Sequence, residues 1–245
     1  VDTAAERAVV ATLKRNRICG TLLSEEAGET PVGGRMALPR PGVERVYAIL
    51  DPFDGSLLYR RGIRAHWFTA LGIYGQDKTP RAAGVIDHIT GEIILADTAG
   101  AFRMGHFRGR PTRLRPTSHS SVDGACLEAY LKKPPYLYAT AMALRPIFER
   151  ARFILPNGGP GGFADVACGR IDVYFAWNEA LTEVFSAIHI AERAGCVVSG
   201  WDGSRVTFQP DIHAVYNLVC SANPRLHAQV LEALKRIQPP RGPTS

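Results

Sequence analysis

Long apolar runs are missing. Nothing in the 245 residues approaches the roughly 20 consecutive apolar positions that a membrane-spanning helix needs, so no membrane partner is expected. Cysteine is sparse and unpatterned. Cys19, Cys126, Cys168, Cys196 and Cys220 are odd in number and hold no CxxC pair, which argues against a zinc cluster or disulfide framework and points to a reducing cytoplasm. The seven histidines (His66, His88, His106, His119, His189, His213 and His227) are dispersed and show no metal-ligand spacing. Repeats and low-complexity tracts are absent. No charged-then-apolar leader opens the sequence, and Val1 falls directly into the helical pattern Ala4-Ala5-Glu6-Arg7-Ala8-Val9-Val10, so an N-terminal segment is expected to precede it.

Lysine is scarce as well: 24 of the 29 basic residues are Arg, in a chain of net charge +6. Arg grips phosphate oxygens in a bidentate fashion, so the surplus suits either an anionic ligand or simply a solvated surface. Residues 103–115 concentrate it, with Arg103, His106, Arg108, Arg110, Arg113 and Arg115 around Phe102 and Phe107. Such a stretch is either a nucleic-acid surface or a solvated hairpin; the hairpin is favoured and no nucleic-acid partner is expected.

Hydrophobic patterning predicts a helix over 2–16, a short strand at Thr21–Ser24, a loop over the Gly- and Pro-rich 27–44, and a buried strand at Val46–Leu50 broken by Asp51–Tyr59. Strands follow at Phe68–Tyr74, Ala82–Asp87, Ile93–Asp97 and Ala101–Met104, with a hairpin turn at Ile89-Thr90-Gly91-Glu92. The second half alternates: strands at 125–130, 153–155, 173–175 and 215–221, and helices at 139–151, 163–168, 183–194 and 224–237. This is α/β order after an α+β first half. Trp201-Asp202-Gly203 reads as a turn.

The chemistry concentrates in Ile49-Leu50-Asp51-Pro52-Phe53-Asp54-Gly55-Ser56. A buried strand ends in two carboxylates three residues apart, with Gly-Ser directly after. Hard cations such as Mg²⁺ take oxygen ligands, here Asp51, Asp54 and the Phe53 carbonyl. Gly55 and Ser56 would open a helix or turn whose N–H groups suit an anion. The plain alternative is a strand-to-helix turn with Asp54 as N-cap. Glu25-Glu26 after Ser24 is a surface pair or a shared cation site. Glu183 is an acidic helix start that favours the helix dipole, or a further ligand.

Together these residues resemble the inositol monophosphatase family of Li⁺-sensitive, Mg²⁺-dependent phosphatases, which includes archaeal inositol monophosphatase/fructose-1,6-bisphosphatase enzymes. The matching segments are Ser24-Glu25-Glu26, Asp51-Pro52-Phe53-Asp54-Gly55-Ser56, and Thr182-Glu183 followed by Arg193-Ala194-Gly195-Cys196, with Gly84-Val85-Ile86-Asp87 and Cys220-Ser221-Ala222-Asn223-Pro224 also in pattern. The resemblance implies a layered αβαβα sandwich. Residues 1–116 would form an α+β half with the metal motifs, and 117–245 an α/β half with substrate-side residues and Glu183. It further implies two or three Mg²⁺ ions held by Glu25, Asp51, Asp54, Glu183 and the Phe53 carbonyl. Gly55 and Ser56 N–H groups would bind phosphate. Asp2, Ser56 and Glu25 would be catalytic, with Asp2 hydrogen-bonded to the Ser56 hydroxyl to help orient and deprotonate a metal-activated water.

Several positions depart from the family pattern. Glu183 stands in place of Asp, and Thr182 in place of Trp; Glu is one methylene longer, so one metal site is expected to be weaker or shifted. Trp177-Asn178-Glu179 imitates the missing Trp-Asp, but counting back from Ala194-Gly195 favours Glu183. On the substrate side, Gly158 and Gly159 in Pro156-Asn157-Gly158-Gly159-Pro160-Gly161-Gly162 replace a Gly-Ser/Thr-Ala-Ala segment, either to let a ligand approach or as a mobile loop. Ala176 falls where a Glu commonly contacts inositol hydroxyls; a lost buried bond weakens recognition by about 1–3 kcal/mol. The expectation is a cytoplasmic, homodimeric, Mg²⁺-dependent phosphomonoesterase for a small phosphorylated metabolite of inositol monophosphate or fructose 1,6-bisphosphate type. A 3′-phosphoadenosine 5′-phosphate or NADP(H) phosphatase, and a non-catalytic protein of the same fold, remain as alternatives.

Overall fold

A computed structural model describes residues 1–33, 44–105 and 109–237. Positions 34–43 of the expected loop, and His106, Phe107 and Arg108 of the basic stretch, lie outside the described residues. The order is α1 (Asp2–Arg15), β1 (Cys19–Ser24), β2 (Gly28–Val32), β3 (Arg45–Asp54), α2 (Ser56–Arg60), β4 (Phe68–Gly75), β5 (Pro80–Asp87), β6 (Ile93–Asp97), β7 (Gly100–Met104) and β8 (Thr112–Arg113), continuing with β9 (Cys126–Ala129), α3 (Pro134–Phe148), β10 (Phe153–Pro156), α4 (Pro160–Ala167), β11 (Val173–Ala180), α5 (Leu181–Phe185), α6 (Ile188–Ala194), β12 (Val197–Gly200), β13 (Val215–Ser221) and α7 (Pro224–Leu234). The first eight strands form one sheet in the order β2-β1-β3-β4-β5-β6-β7-β8, and the other five form a second in the order β10-β9-β11-β13-β12. Among the described residues, β1 and β3 are the one parallel pair in the first sheet, whereas β9 is parallel to both β10 and β11 in the second.

Period-2 alternation explains the layering. Leu22 and Leu50 face outward onto α1 with Leu13, while their neighbours Leu23 and Ile49 face the space between the sheets. In the second sheet Tyr174 points into that same space, and Val173 and Phe175 point the other way, onto Leu144 of α3 and Val230 of α7. The layers therefore run α1, first sheet, α4–α6, second sheet, α3 with α7: the mixed α/β sandwich. β3 is buried from Ala48 to Phe53 because both of its faces are covered.

Three expectations are corrected. The loop over 27–44 contains strand β2, an edge strand paired antiparallel to β1, and an edge is where Pro31 can sit in a sheet. The helix expected over 183–194 is two helices broken at Ser186-Ala187, because the β4 backbone arrives there: a Cβ on Gly72 would stand 2.1 Å from the Phe185 carbonyl oxygen. Val184–Ala191 is buried on all sides in the middle layer. The Gly-rich stretch 156–162 is buried from Asn157 onward rather than an open loop. Gly161 and Gly162 lie inside α4, and their absent side chains leave room for the rings of Phe68 and Tyr174. Strand β12, which patterning did not indicate, closes the second sheet. Among the described residues, no helix is long and apolar enough to cross a membrane.

Candidate metal and phosphate site

In a regular strand, residues three apart face opposite sides. Asp51 and Asp54 would then diverge. The pairing of β3 with β4 instead slips: Asp51 lies opposite Ala70 and Asp54 opposite Phe68, one extra residue on β3. Such a bulge turns both carboxylates the same way. Pro52, which lacks an N–H, occupies the slip, and Thr69 on β4 ties it down by donating its hydroxyl to the Pro52 carbonyl at 2.7 Å. Phe53 stacks on His88 with ring centroids 5.3 Å apart and meets Tyr59 edge-on. Directly after, Gly55 takes φ 88° and starts α2, with Ser56 as the first helical residue. The N–H groups of a helix's first turn have no partner within the helix.

Glu25 comes from the turn after β1. That turn is fixed by Glu6 of α1, whose buried carboxylate accepts the Ser24 hydroxyl and the Ala27 N–H (3.1 Å). Glu183, in the first turn of α5, reaches back to accept the Ala180 N–H at 3.1 Å through one oxygen. The four acids feel one another. Burial pushes the Asp51 carboxyl well above the usual range, and the charges of Asp54, Glu25 and Glu183 push it further. Burial, then Glu25, raises Asp54 to about 6 against the opposing pull of Lys132. Burial, then Asp54, raises Glu183 to about 7. Glu25 sits at the exposed rim, raised by the partial burial of its carboxyl end and then by Glu26 and Asp2.

Among the described residues, no three acidic, histidine or cysteine side chains form a closed metal-binding group as they stand. The donors nonetheless fit a divalent cation. Asp51 Oδ1 and Asp54 Oδ2 are buried with no hydrogen-bond partner, and hard oxygen donors are what Mg²⁺ takes. Buried carboxylates that repel one another and lack donors need a positive charge between them or a proton.

Other expected residues are placed differently. Asp2 makes no hydrogen bond to Ser56; it begins α1 and lies near enough to Glu25 to raise it. Ala176 is fully buried in the core between the sheets, and Gly158 and Gly159 are buried beneath Tyr130, Glu179 and Asp54. The sequence reading missed Lys132 and Lys133, whose charges act on Asp54, Glu25 and Glu183. Their only signal was an adjacent pair in a chain nearly free of lysine. Glu128, which patterning did not single out, and Glu179, set aside in favour of Glu183, are both buried. Glu128 accepts the Asn157 side-chain amide at 2.7 Å, and Glu179 accepts the Gly159 N–H at 3.2 Å and the Tyr174 hydroxyl.

Two features elsewhere are set aside on geometry. Ser199, His227 and Ser221 form a hydrogen-bonded chain, 3.0 Å at each side of the ring, but all three are buried and join β12, β13 and α7. A cleft of about 800 Å³, with Trp201, Arg205, Tyr216 and Lys235 on its wall, includes none of the four acids.

The chain is thus an α/β sandwich of two mixed sheets, with Asp51 and Asp54 at the end of a strand directly before a glycine turn. A family model for the inositol monophosphatase family matches residues 1–239, and the chain belongs to that family. A relative in Xylella fastidiosa, the Nus factor SuhB, is 25% identical over 207 residues, which cover 83% of this chain and 69% of that protein. The fructose-1,6-bisphosphatase/inositol-1-monophosphatase of Archaeoglobus fulgidus is 24% identical over 242 residues, covering 96% and 82%. In fold, the chain matches the inositol monophosphatase of Anabaena (Nostoc) with a TM-score of 0.76, at 20% identity over 97% of this chain and 87% of that one. It matches Mycobacterium tuberculosis SuhB with a TM-score of 0.75, at 24% identity over 97% and 84%.

The raised carboxyls set a pH dependence. Their folded pKa values exceed the unfolded ones, so the native state holds more protons. Stability from the neutral forms is complete below about pH 4 and is lost as pH rises through about 6 for Asp54 and about 7 for Glu183. In EDTA the melting temperature is expected to fall by at least about 4 °C between pH 5 and pH 8. MgCl₂ should flatten the slope, because the cation takes over the charge that the protons neutralise. Thermal melts across that range, with and without Mg²⁺, check this; a Tm that climbs with pH in EDTA contradicts it.

Proposed function

We propose that the chain is a Mg²⁺-dependent phosphomonoesterase for a small sugar or polyol phosphate, working in the cytoplasm as a homodimer. One observation carries the reading: the β3 bulge turns Asp51 and Asp54 the same way, one residue before the Gly55 turn, close enough to Glu25 and Glu183 for their charges to act on Asp51. Glu25, Asp51, Asp54 and Glu183, with the Phe53 carbonyl, are the residues that would hold Mg²⁺. When bound, the cation would neutralise phosphate oxygens and make water a competent nucleophile. The chain's own work is positional. The Gly55 and Ser56 N–H groups receive the phosphate. Lys132 and Lys133 draw an anion towards the acidic cluster and offset its repulsion. Asp2 and Glu25, at the rim, accept hydrogen bonds from the attacking water and orient it. Ala176, buried between the sheets, lines no substrate wall, and the charges of Lys132 and Lys133 beside the acids favour a substrate recognised through charge. Five free thiols suit the reducing compartment.

Phosphate release is the test. With inositol 1-phosphate, fructose 1,6-bisphosphate, 3′-phosphoadenosine 5′-phosphate and NADP⁺ as substrates, at least one is expected to be hydrolysed in Mg²⁺ and none in EDTA. Hydrolysis that ignores EDTA, or no hydrolysis of any phosphomonoester, sinks the reading; the winning substrate separates sugar from nucleotide.

A second reading is a non-catalytic protein that keeps the fold. The relatives named Nus factor SuhB, together with Glu183 in place of the family's Asp, favour it. It predicts no turnover on the same panel even where calorimetry shows Mg²⁺ bound.

A further inference from the structure

The second sheet contains an irregularity that mirrors the one in β3. In β11, Tyr174 and Ala176 face the space between the sheets, so regular alternation would send Glu179 to the other side. The ladder with β13 slips between them: Ala176 lies opposite Leu218 and Glu179 opposite Tyr216, one extra residue on β11. Asn178 absorbs the slip in the left-handed region, at φ 51°, a conformation uncommon for a residue with a side chain. Its N–H is held at 2.7 Å by Asn217 Oδ1. The outcome is a Glu that is 3% exposed and turned inward to the Tyr174 hydroxyl.

What Glu179 touches matters for the metal pocket. Its Oε1 accepts the Gly159 N–H at 3.2 Å. Gly159 has φ 71°, and a Cβ there would lie 3.1 Å from Asp54 Oδ2. The Asn157–Pro160 turn is thus a thin backbone wall. Glu179 pulls it from one side, and Asp54 rests on the other. Gly158 packs against the same acid, where a Cβ would come within 2.7 Å of Oε1. The second oxygen, Oε2, is buried with no partner. A buried acid is a costly way to hold one hydroxyl and one backbone N–H in a dry interior. The bulge and the left-handed Asn178 together bring this acid to the Tyr174 hydroxyl and the Gly159 N–H.

We propose that Glu179 is a positioning residue for the metal pocket: it clamps the Gly158-Gly159 turn against Asp54 and so fixes the rotamer from which Asp54 binds the cation. This rests on the phosphatase reading of the four acids but assigns Glu179 no contact with substrate or metal. Ligand-orienting neighbours of this kind change metal affinity by about 10- to 100-fold when removed.

The test is divalent-cation affinity, measured by calorimetry with Mg²⁺ and Mn²⁺ at one fixed pH on the full chain. Glu179→Ala is expected to weaken binding at least about 10-fold. Glu179→Gln, which keeps an acceptor for the Gly159 N–H, is expected to recover most of that loss. Gly159→Ala attacks the same wall from the other side and is expected to weaken binding similarly while leaving Glu179 intact. Near-UV circular dichroism reports whether each variant keeps its packing. Folded Glu179→Ala and Gly159→Ala proteins that bind within about 2-fold of wild type overturn the proposal. If Glu179→Ala does not fold, Gly159→Ala and Glu179→Gln decide it: normal affinity in the former, or a full loss in the latter, overturns it. A wild-type chain that binds neither cation overturns the phosphatase reading and this inference together, whereas unaffected variants of a metal-binding wild type remove only the clamp.

Discussion

Asp54→Asn is expected to lower kcat/KM at least about 10³-fold, some 4 kcal/mol, with the fold intact. Asp54 is the carboxylate that the β3 bulge turns inward, and its Oδ2 is buried without a partner. An amide of the same shape removes the negative charge and directs either a neutral oxygen or two N–H donors at the place a cation would occupy. The rest of the protein should not object. Burial and Glu25 already hold the Asp54 carboxyl up at about 6, so above that pH the apo protein carries a charge it stabilises poorly. Removing it should raise the apo melting temperature at pH 8 while activity disappears, the trade expected where a site is built from mutual repulsion. Steady-state phosphate release and melts of the same preparation measure both. Turnover within about 10-fold of wild type would place the chemistry elsewhere.

How far the sequence spoke depended on whether a signal was local. The alternation in Leu22–Leu23 and Ile49–Leu50, and the hairpin turn at Thr90-Gly91, are properties of short windows, and the sheets follow them. The Asp51-Pro52-Phe53-Asp54-Gly55-Ser56 stretch was legible because Pro and Gly each do one local job, breaking a ladder and taking a positive φ. What failed was tertiary. Gly28-Glu29-Thr30-Pro31-Val32 has turn composition and becomes a strand only because β1 offers it an edge. Patterning starts the helix at 139, yet Pro at the first helical positions is compatible with a helix start, and α3 begins at Pro134. Glu6, Glu128 and Glu179 sit in windows where an acid reads as surface. Their partners, Ser24, Asn157 and Gly159, are 18, 29 and 20 residues away. A buried acid is recognised by what surrounds it, and no periodicity carries that.

Gly55→Ala should be the most damaging single methyl group at the site. A Cβ there would stand 2.0 Å from the His66 carbonyl oxygen, a backbone atom that cannot rotate away, and the residue sits at φ 88°. The left-handed conformation alone costs a side-chain-bearing residue about 1–2 kcal/mol. The contact adds the cost of moving either the 64–67 segment or the bulge itself, and a total of at least about 3 kcal/mol follows by analogy with overpacked sites. Gly203 is the control that isolates the two costs. It has nearly the same φ, 83°, but its Cβ would meet only the flexible end of Leu231 at 3.5 Å. Gly203→Ala should therefore lose only about 1 kcal/mol in urea melts and retain full activity. For Gly55→Ala the displacement falls one residue from Asp54 and on the N–H groups that would face phosphate. A shift of about 1 Å at reacting groups costs on the order of 10²-fold in rate. The expected pattern is a large loss in both stability and kcat for Gly55→Ala against a small loss in stability alone for Gly203→Ala. Equal behaviour of the two variants would mean that the turn after Asp54 is a turn and nothing more.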